Sequence, residues 1–156
     1  MKKFLFIVAV FSIVLTSCEK IGGVTPAYEK FEGTYDVKSS GSINFFIGDT
    51  TFVNETGLVV IKKGDNDDEL FMYVETNYVT SLAPLGVYAE ARVSGNEYEM
   101  KSRALSINID LDGQSLSLAF NVNATGVLSE DGTILTSEVV FTGGITGSMI
   151  SVGVKK

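Results

Sequence analysis

Residues 105–122 read LSINIDLDGQSLSLAFNV. Leu105, Ile107, Ile109 and Leu111 alternate with Ser106, Asn108 and Asp110, and Leu116, Leu118, Phe120 and Val122 alternate with Ser117, Ala119 and Asn121. Successive side chains of a strand point to opposite faces, so each half of this stretch is a strand with one apolar and one polar face. Asp112-Gly113 supplies residues that tolerate positive φ between them, and the whole reads as a β-hairpin.

Working outward, the same alternation marks strands near residues 33–38, 42–47, 57–63, 69–76, 85–93, 97–102, 125–129, 133–142 and 146–154, with turn signals at Gly48-Asp49, Gly95-Asn96 and Asp131-Gly132. No segment carries apolar residues at helical spacing over three turns. Tyr78 to Leu85 has room for one short helical turn, limited by Pro84. Many short strands separated by turns specify an all-β chain. The expected architecture is a single antiparallel meander barrel of about 8–10 strands, since closure removes exposed edges, with a β-sandwich as the alternative.

Phe31-Glu32-Gly33-Thr34-Tyr35-Asp36-Val37 resembles the opening of lipocalin and calycin-type barrels, in which a glycine and, two residues later, an aromatic begin the first strand and plug the closed end. The resemblance implies those roles for Gly33 and Tyr35 and permits ligand binding in the interior. This chain departs from the family in having tyrosine for the usual tryptophan, no helix expected before it, and no later lipocalin motif.

The N-terminus carries an export signal of its own. Lys2 and Lys3 precede Phe4 to Leu15, in which only Ser12 is polar. As a helix this run covers roughly 18 Å, well short of a bilayer core of about 30 Å, so it does not read as a resident span. Leu15-Thr16-Ser17-Cys18 then resembles the lipobox of Gram-negative bacterial lipoproteins. That resemblance implies cleavage before Cys18 and acylation of Cys18, which would tie the chain to a membrane and explain a lone cysteine in an exported protein. Glu19 differs from the aspartate that retains lipoproteins in the inner membrane under the enteric-type rule, so an outer-membrane location is expected, facing either the periplasm or the cell surface. The expected organisation is a signal peptide over 1–17, a lipidated cysteine and flexible tether over 18–30 and a barrel over 31–156. Treated as a coil, the tether reaches roughly 19 Å.

Without residues 1–17, ten basic side chains stand against nineteen acidic ones, a formal charge of −9. A basic footprint for nucleic acid is absent. The chain has no histidine and no tryptophan, and its one cysteine is Cys18. Ser-x-x-Lys occurs only as Ser17-Cys18-Glu19-Lys20, at the processing site, and Asp110 with Asp112 and Glu97 with Glu99 fall on polar strand faces. The expectation is therefore a protein that is not an enzyme and needs no cofactor. Gly64-Asp65-Asn66-Asp67-Asp68-Glu69 offers oxygen ligands but not the spacing of a regular calcium loop, and reads as a solvated hairpin turn rather than a metal site.

Aromatics crowd the first half of the mature chain, and residues 69–76 are apolar on both faces: Leu70, Met72 and Val74 on one, Phe71 and Tyr73 on the other. One face enters the core, while the other requires a covering layer, a ligand or a partner. Leu70, Phe71, Met72, Tyr73 and Val74 are thus the candidate ligand-binding residues. The expected function is a non-catalytic binding module for a small apolar or sugar ligand, held at the membrane by the lipid on Cys18. The alternative is an accessory subunit that docks on an envelope protein partner. Asp49-Thr50-Thr51 also resembles a short O-glycosylation acceptor.

Overall fold

The computed structural model describes residues 26–45, 48–76, 85–111 and 114–156. Eight antiparallel strands follow one another around a closed barrel: β1 (Gly33–Phe45), β2 (Gly48–Lys63), β3 (Glu69–Thr76), β4 (Leu85–Ser94), β5 (Glu97–Leu111), β6 (Gln114–Leu128), β7 (Ile134–Gly143) and β8 (Ile145–Lys155). The meander barrel expected from the alternation is the observed fold, and the sandwich is not. Closure runs through β1 and β8, paired from Tyr35↔Lys155 to Phe45↔Ile145. The hairpin read from residues 105–122 is present with Leu111 opposite Gln114. Asp112, Gly113 and the segment 77–84 lie outside the described residues.

Eleven alternating segments become eight strands because local irregularities divide long strands into apparently separate ones. In β2, Val53 and Asn54 oppose the single residue Ser40, Asn54 takes φ 55°, and its N–H donates to Ser40 Oγ at 3.0 Å. This bulge shifts the phase of alternation, so that Phe52 and then Val59 and Ile61 are all buried. The residues before it are polar and small, which is why the sequence pattern shows the strand only from 57. A second bulge in β5 sets Lys101 and Ser102 against Asn123. It separates the buried Tyr98 and Met100 from the inward run that resumes at Leu105. β6 keeps one phase throughout, with Phe120, Val122, Ala124, Gly126 and Leu128 buried, but its small residues at 124 and 126 weaken the apolar signal.

The strands run from 8 to 16 residues, and seven of them have ten or more, so length does not argue against a membrane-spanning barrel. The outer face does. Asp36, Lys38, Lys62, Glu90, Arg92, Glu99 and Glu138 are exposed on it around the circumference, where a lipid-facing wall would be apolar.

One end of the barrel is plugged. Ala27–Lys30 forms a single 3-10 turn where the sequence suggested tether and no helix, and it sets Phe31 into the barrel mouth. Phe31 and Tyr35 are fully buried; the Tyr35 hydroxyl donates to the Phe31 carbonyl at 2.8 Å, and Phe31 meets Tyr98 edge-on at 6.2 Å. Gly33 opens β1 and Tyr35 fills the closed end, as the resemblance implied. Lys155 completes this end, its ammonium donating to the Lys30 carbonyl at 3.0 Å and lying 5.8 Å above the Tyr35 ring.

Candidate ligand site in the barrel interior

In an up-and-down barrel all odd-numbered strands end, and all even-numbered strands begin, at the same rim. At the plugged rim the inward side chains Ile61, Leu70, Ala91, Leu128 and Leu135 are sealed from solvent alongside Phe31 and Tyr35. Toward the opposite rim the inner wall is again apolar, with Ile43, Phe52 and Ile145 buried but other described residues only half-buried: Phe45 ends β1, Val74 lies near the end of β3, Leu118 near the start of β6, and Phe141 near the end of β7. Leu105 and Val139 belong to the same partly accessible set. Solvent access into the interior is therefore one-sided.

The wall carries few polar groups. Among the described residues the buried polar side chains are Ser39, Ser137 and Ser151, joined by the hydroxyls of Tyr35 and Tyr98. Ser39 and Ser151 share a hydrogen bond of 2.6 Å across the closure, and Tyr98 donates to Ser137 at 2.7 Å. Burial pushes the Tyr35 phenol up to about 12 and raises that of Tyr98, the latter opposed by its bond to Ser137. Both stay protonated in the physiological range. Among the described residues, this wall offers apolar contact and hydroxyls that are already hydrogen-bonded.

The five candidate residues on β3 divide between the two faces. Leu70 is fully buried at the plugged end, Met72 is buried above it, and Val74 is the one inward member that keeps solvent access. Leu70 thus lies in the buried core at the plugged end, and Val74 is the inward member nearest the accessible rim. Phe71, 39% exposed, and Tyr73 point outward; the Tyr73 ring lies 4.9 Å from that of Tyr88, its partner on β4, which is 66% exposed. Phe45, Leu105, Leu118, Val139 and Phe141, which the sequence reading did not name as candidates, share with Val74 this half-buried apolar setting. The available signal was their position: each is an inward residue of a strand near the rim opposite Gly33.

Beside this outer aromatic pair the wall is thin. β4 and β5 pair only over Ala91–Ser94 and Glu97–Met100, and beyond the bulge the Arg103 guanidinium donates to the Tyr88 carbonyl across the interval. On the outer face nearer the plug, a shallow depression of about 390 Å³ is lined by residues that include Asp68, Arg92, Glu97 and Glu99 over Tyr98 and Gly126.

The acidic stretch 64–69 forms the turn between β2 and β3. Gly64 N–H donates to the Glu69 carbonyl at 2.8 Å, Asn66 Nδ2 to Glu69 Oε2 at 2.7 Å, and Lys63 pairs with Asp67 at 2.8 Å. Bonds from Asn66 and Lys101 hold the Glu69 carboxyl below its ordinary range, and the Asp67 contact raises the Lys63 ammonium. These side chains serve the turn. Glu97 and Glu99 face solvent from β5, and the Asp49-Thr50-Thr51 stretch is exposed at the start of β2.

The chain matches no protein-family model and no curated protein.

Proposed function

We propose that this chain is a lipid-anchored protein of the Gram-negative envelope whose barrel binds a small, largely apolar ligand without transforming it. The carrying observation is the one-sided interior, sealed by Phe31 and Tyr35 at one rim and lined at the other by half-buried Phe45, Val74, Leu118 and Phe141. An apolar wall with a few hydroxyls suits a hydrocarbon or a ring better than a charged solute. The absence of histidine from the chain, and a single cysteine committed to the export signal, support a non-catalytic role. Leu15-Thr16-Ser17-Cys18 supports the anchor, and Glu19 in place of an aspartate supports the outer-membrane location.

The test uses the mature chain with a fluorescent apolar probe such as N-phenyl-1-naphthylamine. Binding should be saturable and raise the melting temperature. Val74→Trp, which fills space near the accessible rim, should weaken binding more than it lowers stability. No saturable binding, or equal binding by wild type and Val74→Trp, would overturn the reading.

The accessory-subunit reading has its own observation, the outward aromatic group of Phe71, Tyr73 and Tyr88. Aromatic anchors of this kind dominate many protein interfaces. If it holds, truncating Phe71 and Tyr88 to alanine removes co-purification with an envelope partner and leaves probe binding intact.

A further inference from the structure

The outer face carries a second apolar region, far from the aromatic pair. On β8 the outward residues change character along the strand: Thr146 and Ser148 are followed by Ile150, Val152 and Val154. Ile134 lies opposite Val154, and Val127 shares a cross-strand row with Thr136 and Val152. These five aliphatic side chains are between 42% and 58% exposed and form one continuous patch across β6, β7 and β8. Outward strand positions in water are ordinarily polar, so a contiguous aliphatic patch marks a surface that is covered in use.

Its position names the cover. The apolar half of β8 is the half beside the plug, where Lys155 bonds to the Lys30 carbonyl and Lys156 N–H to the Thr34 carbonyl. The described chain begins there, at Pro26. Eight peptide links separate Cys18 from Pro26, so in any conformation the two lie within about 29 Å. The patch itself extends about 13 Å along β8 from Ile150 to Val154. An acylated Cys18 therefore holds this face within reach of the bilayer.

We propose that the Val127, Ile134, Ile150, Val152 and Val154 face rests on the surface of the membrane that carries the anchor. The proposal rests on the lipoprotein reading above and adds an orientation to it. Charges around the patch are balanced: Lys38 stands opposite Val152, Asp36 opposite Val154 is paired with Lys156 at 2.8 Å, and Glu138 lies opposite Ile150. Docking by burial of apolar surface needs no anionic lipid, which suits a chain of negative charge. A second copy of the chain is the weaker occupant, because five half-exposed aliphatic side chains offer a few hundred Å² against the roughly 800 Å² per partner of a stable interface. A tethered face needs far less area, since the anchor already supplies a high effective concentration.

The experiment places the full chain, expressed with its signal and lipidated, in phosphatidylcholine vesicles whose acyl chains are brominated. Val152→Cys labelled with bimane reports the patch, and labelled Thr146→Cys, exposed near the start of β8 and opposite Asn44, reports the other rim. Intact-mass measurement reads the lipid on Cys18 in the same samples. Quenching several-fold stronger at 152 than at 146 is expected. With the label moved to Val127→Cys, adding Ile150→Lys and Val154→Lys should remove the quenching without changing the melting temperature, since both side chains face outward. Equal quenching at 152 and 146 in a protein that carries its lipid overturns the orientation and leaves the anchor standing. Disulfide-linked dimers through unlabelled Val152→Cys overturn it in favour of a second copy. A Cys18 without lipid removes the anchor reading, and this docking falls with it.

Discussion

Tyr98 and Gly126 face each other directly across β5 and β6, and the tyrosine ring occupies the space that a side chain at 126 would need. A Cβ on Gly126 would stand 2.2 Å from Tyr98 Cε1 and 2.9 Å from the Thr136 carbonyl. The ring has little freedom to move, because its hydroxyl is bonded to Ser137 and its edge packs on Phe31. Gly126→Ala is therefore expected to destabilise the barrel by roughly 1–3 kcal/mol, the usual cost of overpacking. The denaturation midpoint should fall with the m-value unchanged. An unaltered midpoint would show that the ring can yield.

Ser39 and Ser151 hydrogen-bond inside the wall where β1 closes on β8. Ser39→Ala leaves the Ser151 hydroxyl without that bond in an apolar interior and is expected to cost about 1–2 kcal/mol. Removing both hydroxyls should cost less than the sum of the single changes. A double-mutant cycle measures the difference, and strict additivity would deny the coupling.

The buried phenol of Tyr35 makes stability sensitive to alkali. Its folded pKa of about 12 lies above the ordinary phenol value of 10.0, so the folded state keeps the proton that the unfolded state releases first. Its contribution is complete below pH 10 and is lost as pH rises toward 12, a change on the order of 2 kcal/mol. Tyr98 acts in the same direction. Tyr35→Phe should be less stable than wild type at pH 8, having lost the bond to Phe31, yet should show a smaller further loss between pH 10 and 12. Parallel stability profiles for the two proteins would refute the assignment.

The inward and outward faces of β5 and β6 should respond differently to charge. Val122 is buried, so Val122→Asp is expected to cost several kcal/mol. Leu118→Asp, at a half-buried position near the accessible rim, should cost less. Ser117→Asp and Asn108→Asp face solvent and should change stability by less than about 0.5 kcal/mol. Similar losses at 117 and 122 in chemical denaturation would mean that the face assignment is wrong.

Cys18→Ala tests the anchor. The wild-type chain should sediment with membranes and carry a lipid mass on residue 18, and the variant should appear in the soluble envelope fraction without it. Unmodified Cys18 in a soluble wild-type protein would reject lipidation.

Legibility varied along the chain with the regularity of the alternation. Around Leu105 to Val122 the period of two is unbroken and the hairpin register follows from it. At Asn54 and at Lys101-Ser102 an extra residue reverses the phase, so β2 and β5 look shorter than they are. For the site, alternation correctly divided β3 into Leu70, Met72 and Val74 against Phe71 and Tyr73. It could not grade depth: Leu70 and Val74 have the same phase, yet one is sealed and the other accessible, because depth depends on how far each lies from the plug.

By itself, the sequence determined that this chain is a β protein, where its firmest hairpin lies, and that it has no histidine and a single cysteine. Those properties are local, set by side-chain period, turn residues and composition. Only the tertiary structure decided that β8 closes on β1, that Phe31 folds back to seal one rim, and that Ile150, Val152 and Val154 lie on the half of β8 beside that rim. Each of these joins residues far apart in the chain, and such pairings arise from the twist and closure of the whole sheet, which no short window of residues encodes.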